Sequence, residues 1–214
     1  MMTPNDNPPS EADKAMVFVV DDDASMRKAV DSLLRSAGLS TQTFASTAEF
    51  MQHKAYAGPA CLVLDVRLQG VSGLDFQTEL QRSGDALPII FMTGHGDIPM
   101  SVKAMKAGAI DFLAKPFRDQ DLLDAVMLAI ERDRANLAAG KSIADLKARF
   151  ATLTAREREI MGLAASGLMN KQIAGEVGTS EITVKIHRGN AMKKMQAKSF
   201  AELVKMAQAL GLSS

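Results

Sequence analysis

The 214 residues contain no tryptophan, one tyrosine and one cysteine. With a single thiol, Cys61, no disulfide can close within the chain, which excludes a disulfide-stapled secreted scaffold and fits a reducing compartment. Cys61 falls inside an apolar run, where a small buried hydrophobe is the default role. Long apolar runs are missing too. None approaches the ~18 residues of a membrane-spanning helix, and the amino terminus lacks the charged-then-apolar pattern of a signal peptide. A cytoplasmic protein with no membrane partner is therefore expected. Net charge is absent overall, with 25 Lys+Arg against 25 Asp+Glu, yet it is unevenly placed. Through Phe150 there are 16 basic and 20 acidic residues, and beyond it 9 and 5. An acidic part of about −4 thus precedes a basic part of about +4, as expected of a regulatory unit joined to a binder of polyanions.

What is present points to two cores, since a chain of this length is comfortable for two domains. Residues 1–15, with three prolines, read as a disordered leader, and Met16 is an alternative start. Met16 to Val20 is a short apolar strand ending in Asp21-Asp22-Asp23. A helix over Ala24 to Ala37 stops at Gly38, followed by a weaker strand from Leu39 to Phe44. Ser46 and Glu49 match a capping box on a short helix reaching His53. Cys61-Leu62-Val63-Leu64-Asp65 reads as a strand buried on both faces with a carboxylate where it leaves the core. A helix over Gly73 to Arg82, a strand over Pro88 to Met92, a helix over Pro99 to Ala107 and a strand over Ala109 to Leu113 follow. Strands alternating with helices make a parallel sheet wound on both sides.

In such a sheet the carboxyl ends of the strands converge on one crevice. Those ends carry Asp21 and Asp22, Asp65, Thr93 and Lys115. Each has a bland reading alone: a solvated cap, a turn residue, a surface lysine. Together they fit a divalent cation and a phosphoryl group. Clustered carboxylates repel one another, and all-oxygen ligands favour Mg²⁺ or the similar Mn²⁺. An Asp65 oxygen could then attack phosphorus while Thr93 and Lys115 hold the other phosphoryl oxygens.

The segments VVDDD, VLDVRLQGVSGLD and MTGHGDIPMSVKAMKAGAIDFLAKPF resemble the receiver domain of bacterial two-component response regulators, over about residues 16–130, and TGHGD with AMKAGAIDF resembles the FixJ-like subgroup. The resemblance implies a five-stranded flavodoxin-like fold, Asp65 as phosphoacceptor, and a metal site of Asp21, Asp22, Asp65 and the Arg67 backbone carbonyl. It also implies Thr93, Phe112, Lys115 and Pro116 as switch elements, with a cis peptide before Pro116, and Val102 and Lys106 on a dimer face. Gln69 stands where the family usually has proline.

From Arg118 a helical pattern runs through Leu122, Val126 and Ile130 into a stiff linker over residues 131–149, interrupted in composition only by Gly140. Residues 150–214 read as an all-helical unit. Thr154 and Glu157 form a capping box, a helix over Asn170 to Val177 turns at Gly178, and Ser180 caps a third helix to about Met195. Val184, Ala191 and Met195 face inward at helical spacing, turning Glu181, Ile182, Lys185, Ile186 and Gly189 outward, and His187 reads as a packed boundary residue. LTAREREIMGLAASGLMNKQIAGEVGTSEITVKIHRGNAMKKM resembles the LuxR/FixJ-type helix-turn-helix domain. That resemblance implies that Lys185, Ile186 and Gly189 face base edges of the major groove, while Lys171, Ser180, Thr183, Arg188 and Lys194 approach phosphates. Gly189 replaces a longer side chain found in relatives. The last helix, with Phe200, Leu203, Val204 and Met206, either pairs with its copy or packs on its own core.

The expectation is a phosphorylation-controlled, promoter-binding regulator. Its partners are a sensor histidine kinase, double-stranded DNA, RNA polymerase and, on phosphorylation, a second copy of the chain. Two rivals stand beside it. An aspartyl-phosphate phosphatase usually carries a second Asp two residues beyond the nucleophile, where this chain has Arg67, so no enzyme is expected beyond slow loss of its own phosphoryl group. A DNA-binding protein with a relic receiver fits the intact acidic set poorly.

Overall fold

The computed structural model describes residues 14–53, 56–68, 72–83, 87–94 and 98–212. The leader except its last two residues, the Gln69 departure with Gly70 and Val71, and His95 with Gly96 lie outside the described residues. The chain divides into two compact units, Met1–Leu137 and Ala138–Ser214.

The first unit follows the order β1 (Met16–Val20), α1 (Ala24–Ser36), β2 (Ser40–Phe44), α2 (Thr47–Met51), β3 (Ala60–Asp65), α3 (Gly73–Arg82), β4 (Ile89–Thr93), α4 (Ile98–Lys106), β5 (Asp111–Ala114) and α5 (Asp119–Ala151). All four strand pairings are parallel, in the order β2-β1-β3-β4-β5. The strand order reverses between β1 and β3, so their carboxyl ends flank the crevice where this fold places its ligands.

Period-two alternation sorts the strand residues to two faces. Val17, Val19, Cys61, Val63, Ile90 and Met92 pack under Val30 and Leu34 of α1 and Leu122, Val126, Ala129 and Ile130 of α5. Phe18, Val20, Leu62, Leu64 and Phe91 pack with Phe50 of α2, Phe76 and Leu80 of α3 and Ala104 of α4. Every residue of β3 is buried. Buried among them, the Cys61 thiol is pushed up to about 12 by desolvation, with the Asp133 charge adding to it. It packs as a small hydrophobe.

Element ends moved by a residue or two from the sequence expectation. Helix α4 starts at Ile98, because Pro99 is tolerated within a first turn where its missing N–H has no partner to lose. Strand β5 starts at Asp111, although Ala109 and Ile110 before it are buried. At α2 the Ser46 hydroxyl accepts the Glu49 N–H, but Glu49 Oε2 accepts from Ala45 instead of closing a capping box on Ser46. Helix α5 continues through Gly140 to Ala151 without a break.

The second unit holds the end of α5 and the helices α6 (Ala155–Ala165), α7 (Asn170–Glu176), α8 (Glu181–Met195) and α9 (Phe200–Ala209). The Thr154 and Glu157 capping box is closed at both ends. Gly178, at φ +64°, takes the left-handed turn that joins α7 to α8. Val184 packs with Ile160, Ala164, Ile173 and Ala174, while Ala191 and Met195 pack with Leu153, Met161, Leu203 and Ala207. Leu203 and Ala207 thus spend the inner face of α9 on the unit's own core. Among the described residues no helix is long and apolar enough to cross a membrane.

Candidate functional site

Two sites emerge, one in each unit. In the first, Asp21 follows the last residue of β1 and Asp65 ends β3, strands whose register pairs Val20 with Leu64. Their adjacency is therefore fixed by the sheet. Asp22 joins them, and the three carboxylates each offer an oxygen within 4.8 Å of the others. From the end of β5, Lys115 Nζ donates to Asp21 Oδ2 at 2.7 Å and to Asp65 Oδ2 at 2.6 Å. The second oxygens are also engaged: Asp21 Oδ1 accepts the Asp23 N–H and Asp65 Oδ1 accepts the Arg67 N–H. Both carboxylates are thereby aimed.

Burial lifts Asp21 above the ordinary carboxylate range, against the hydrogen bond from Lys115 that favours its ionised form. Burial works against the charge on Lys115, but its hydrogen bonds to Asp21 and Asp65 outweigh that and raise it. Lys115 bonds two of the three carboxylates, Asp21 and Asp65. Their donor set is all oxygen, partly desolvated and gathered from two strand ends, which fits Mg²⁺.

Thr93, at the end of β4, is buried, and its carbonyl accepts the Lys115 N–H at 2.6 Å, so strands β4 and β5 hold the threonine and the lysine in register. The Lys115–Pro116 peptide is cis. Phe112 is half-buried with its ring 6.3 Å from that of Phe91. Val102 and Lys106 lie exposed on α4, beside the exposed Met105.

Sequence reasoning missed Gly73 as part of this site. A Cβ there would stand 2.7 Å from the Asp65 carbonyl oxygen and 3.1 Å from Val66 Cα, both backbone atoms that cannot swing away. Only glycine lets the start of α3 approach the Asp65 backbone this closely, and its N–H bonds the Val66 carbonyl there at 2.9 Å. A glycine directly after a helix-capping serine was the available signal. Asp133 was missed as well. From α5 its Oδ2 accepts the Ala60 N–H at 2.8 Å, pinning the opposite end of β3.

In the second unit, Glu181, Ile182, Lys185, Ile186 and Gly189 are exposed along α8, as the spacing of its buried residues requires. Lys171 and Ser180 are also exposed and Thr183 is half-buried. The Ser180 hydroxyl accepts the Thr183 N–H at 3.2 Å as the cap of α8. His187 is half-buried with Nδ1 enclosed.

Two residues expected at phosphates hold partners within the unit. Arg188 donates through Nη1 to Asn170 Oδ1, its guanidinium lies 4.0 Å from the Phe200 ring centroid, and burial lowers its pKa. It ties α8 to the starts of α7 and α9. Lys194 Nζ bonds Glu157 Oε2 at 2.7 Å, and the same oxygen accepts the Thr154 N–H, so Lys194 neutralises the buried carboxylate of the α6 cap. Neither partner was visible in the local helix pattern.

The chain is similar to known proteins over nearly its whole length. Residues 17–127 match the response regulator receiver domain family, and residues 151–207 match the luxR family of bacterial regulatory proteins. Nodulation protein W of Bradyrhizobium diazoefficiens is 58% identical over 94% of this chain and 88% of its own length. The transcriptional regulatory protein FixJ of the same organism is 40% identical over 93% of this chain and 97% of its own. Among solved structures, the response regulator StyR is similar at a TM-score of 0.80 and 47% identity, covering 91% of this chain and 98% of that one. The matches run through both units, acidic crevice and helix-turn-helix alike. The chain therefore belongs to the two-component response regulators, in the FixJ-like group that joins a receiver domain to a LuxR-type DNA-binding domain and regulates transcription.

Proposed function

We propose that Asp65 accepts a phosphoryl group from a phosphohistidine of a sensor kinase. The carrying observation is the Lys115 ammonium shared between the Asp65 and Asp21 carboxylates at the reversal point of the sheet. In the transfer an Asp65 oxygen forms the new bond to phosphorus, the bond from phosphorus to the kinase imidazole nitrogen breaks, and that nitrogen keeps the electron pair and takes a proton. Asp21, Asp22, Asp65 and the Arg67 carbonyl would hold Mg²⁺ or Mn²⁺, which neutralises charge on the phosphoryl oxygens. Lys115 then exchanges its contact with Asp65 for a phosphoryl oxygen, and the Thr93 hydroxyl holds another.

The switch follows from differential contact: a conformer with Thr93 drawn to the phosphoryl group, and Phe112 following, is favoured only when Asp65 is modified. Dimerisation through a face including Val102 and Lys106, promoter binding by the helix-turn-helix and contact with RNA polymerase complete the reading, which is that of a cytoplasmic activator. The chain itself turns over no other substrate and loses only its own phosphoryl group, slowly.

The test is DNA affinity at fixed salt, with and without a small-molecule phosphoryl donor plus Mg²⁺, for the native chain and Asp65→Asn. Duplexes selected from random sequence serve as ligand. Native affinity is expected to rise at least tenfold with the donor, and Asp65→Asn is expected not to respond. An equal response from Asp65→Asn would remove Asp65 from the switch.

A further inference from the structure

Of the large hydrophobic side chains among the described residues, Ile182 is the most exposed, at 74%, and Ile186, four residues on, is 57% exposed. Residues four apart on a helix stand on one face. Steps of four, three and four carry that face from Ile182 through Ile186 and Gly189 to Lys193. A Cβ added at Gly189 would meet nothing within 4 Å. The stripe is therefore two isoleucines, an open notch where no side chain intervenes, and a lysine, with the exposed Lys185 alongside. Val184, Ala191 and Met195 already face the unit's core, so no turn of α8 can hide both isoleucines.

Two large apolar side chains left in water at the start of a recognition helix need an occupant. The neighbouring charge selects one. Residues beyond Phe150 carry 9 Lys+Arg against 5 Asp+Glu, and Lys185, Lys193 and Lys171 are all exposed. Such a surface attracts the phosphates of a duplex, and the first turns of such a helix are the part that reaches base edges. Of the groups lining the major groove, the thymine 5-methyl is the apolar one, whereas the other edges present donors and acceptors that an isoleucine would desolvate without replacing. Isoleucine suits the task because its χ1 is nearly fixed in a helix, so little rotamer freedom is lost on contact. Four residues advance about 6 Å along the helix axis, and base pairs repeat about every 3.4 Å. The pair therefore spans about two base steps.

We propose that Ile182 is a specificity-determining residue that, with Ile186, reads thymine 5-methyl groups on operator base pairs about two steps apart. The inference rests on the DNA-binding reading of α8 and assigns to Ile182 an apolar part of site choice that the lysines cannot supply.

The test uses the full chain with the phosphoryl donor and Mg²⁺, and a duplex selected by it from random sequence. Each thymine is replaced in turn by deoxyuridine, which removes the methyl group and leaves every hydrogen-bonding edge unchanged. Affinity is expected to fall about fourfold at each of two positions within about two base steps, the effect of one buried methyl. In Ile182→Ala one of those penalties disappears and the other remains; in Ile186→Ala the pattern is exchanged. Exposure of both side chains makes the variants fold as the native chain does, which circular dichroism checks. If Ile182→Ala binds the duplex as tightly as the native chain and keeps both penalties, the proposal is overturned while DNA binding stands. A changed sedimentation coefficient beside unchanged DNA binding would assign Ile182 to a contact between copies, which also overturns it. If no duplex is selected, the DNA-binding reading falls first and this inference with it.

Discussion

The Glu157 carboxylate shows how one residue can tie two helices of the second unit together. It is buried, it closes the capping box at the start of α6, and it accepts from Lys194 on α8, thirty-seven residues away in sequence. The hydrogen bond from Lys194 lowers its pKa, against the effect of burial, with the Thr154 N–H adding in the same direction. A group held below its ordinary value stabilises the fold when ionised, so the benefit is complete above the ordinary glutamate value of about 4.3 and fades as pH falls through the lower folded-state value. Glu157→Gln is accordingly expected to unfold at a lower temperature than the native chain at pH 7, with the gap closing as pH is lowered through 4 and below. Thermal unfolding followed by the helical signal at a series of pH values measures it. A gap independent of pH would show that the carboxylate's charge is irrelevant to the cap.

The same residue marks the limit of what the sequence could disclose. Thr154 and Glu157 were legible as a cap because a capping box is a local pattern. That Lys194 completes it, and that Arg188 lies on Phe200 and bonds Asn170, depends on how three helices cross. Spacing alone puts both cations on a basic helix and says nothing of the internal partners they hold. In the acidic crevice the reverse holds. Asp21, Asp65 and Lys115 end strands whose order follows from their alternation with helices, so their meeting was readable without coordinates.

At the scale of elements, β3 is the axis of the first unit. Six consecutive buried residues leave it no exposed face, and its polar business is confined to its two ends. One end is Asp65. The other is the Ala60 N–H, which reaches Asp133 across seventy-three residues of chain. An unpartnered buried amide costs about 1–3 kcal/mol, so Asp133→Ala is expected to destabilise the first unit by roughly that amount. Asp133→Asn, which keeps an acceptor oxygen, recovers most of it. Denaturant unfolding of the three chains provides the comparison, and equal stability of Asp133→Ala and the native chain would show that this amide finds water instead. The apolar runs made β3 itself evident in sequence. Asp133 was hidden because it sits in a charged stretch of α5, where a run of Glu131, Arg132, Asp133 and Arg134 reads as a solvated face.

For the whole molecule, charge is divided as function requires. The acidic unit gathers three carboxylates in the crevice proposed to hold a cation and a phosphoryl group, and the basic unit carries the LuxR-type DNA-binding domain with its exposed lysines. The different settings of Lys171 and Lys194 make that division measurable. A lysine that neutralises a phosphate releases a counterion, so its removal lowers the slope of log affinity against log salt by about 0.9. Lys171 is exposed at the start of α7 and holds no ion pair among the described residues, whereas Lys194 is bound to Glu157. Lys171→Ala is therefore expected to flatten the salt dependence of duplex binding by about one unit and leave thermal stability unchanged. Lys194→Ala is expected to do the opposite, lowering the unfolding temperature while the slope stays at its native value. Binding titrations at four or five salt concentrations, paired with thermal unfolding, separate the two effects. A flattened slope in Lys194→Ala with no loss of stability would return that lysine to the DNA-facing surface and make its bond to Glu157 an arrangement that DNA displaces.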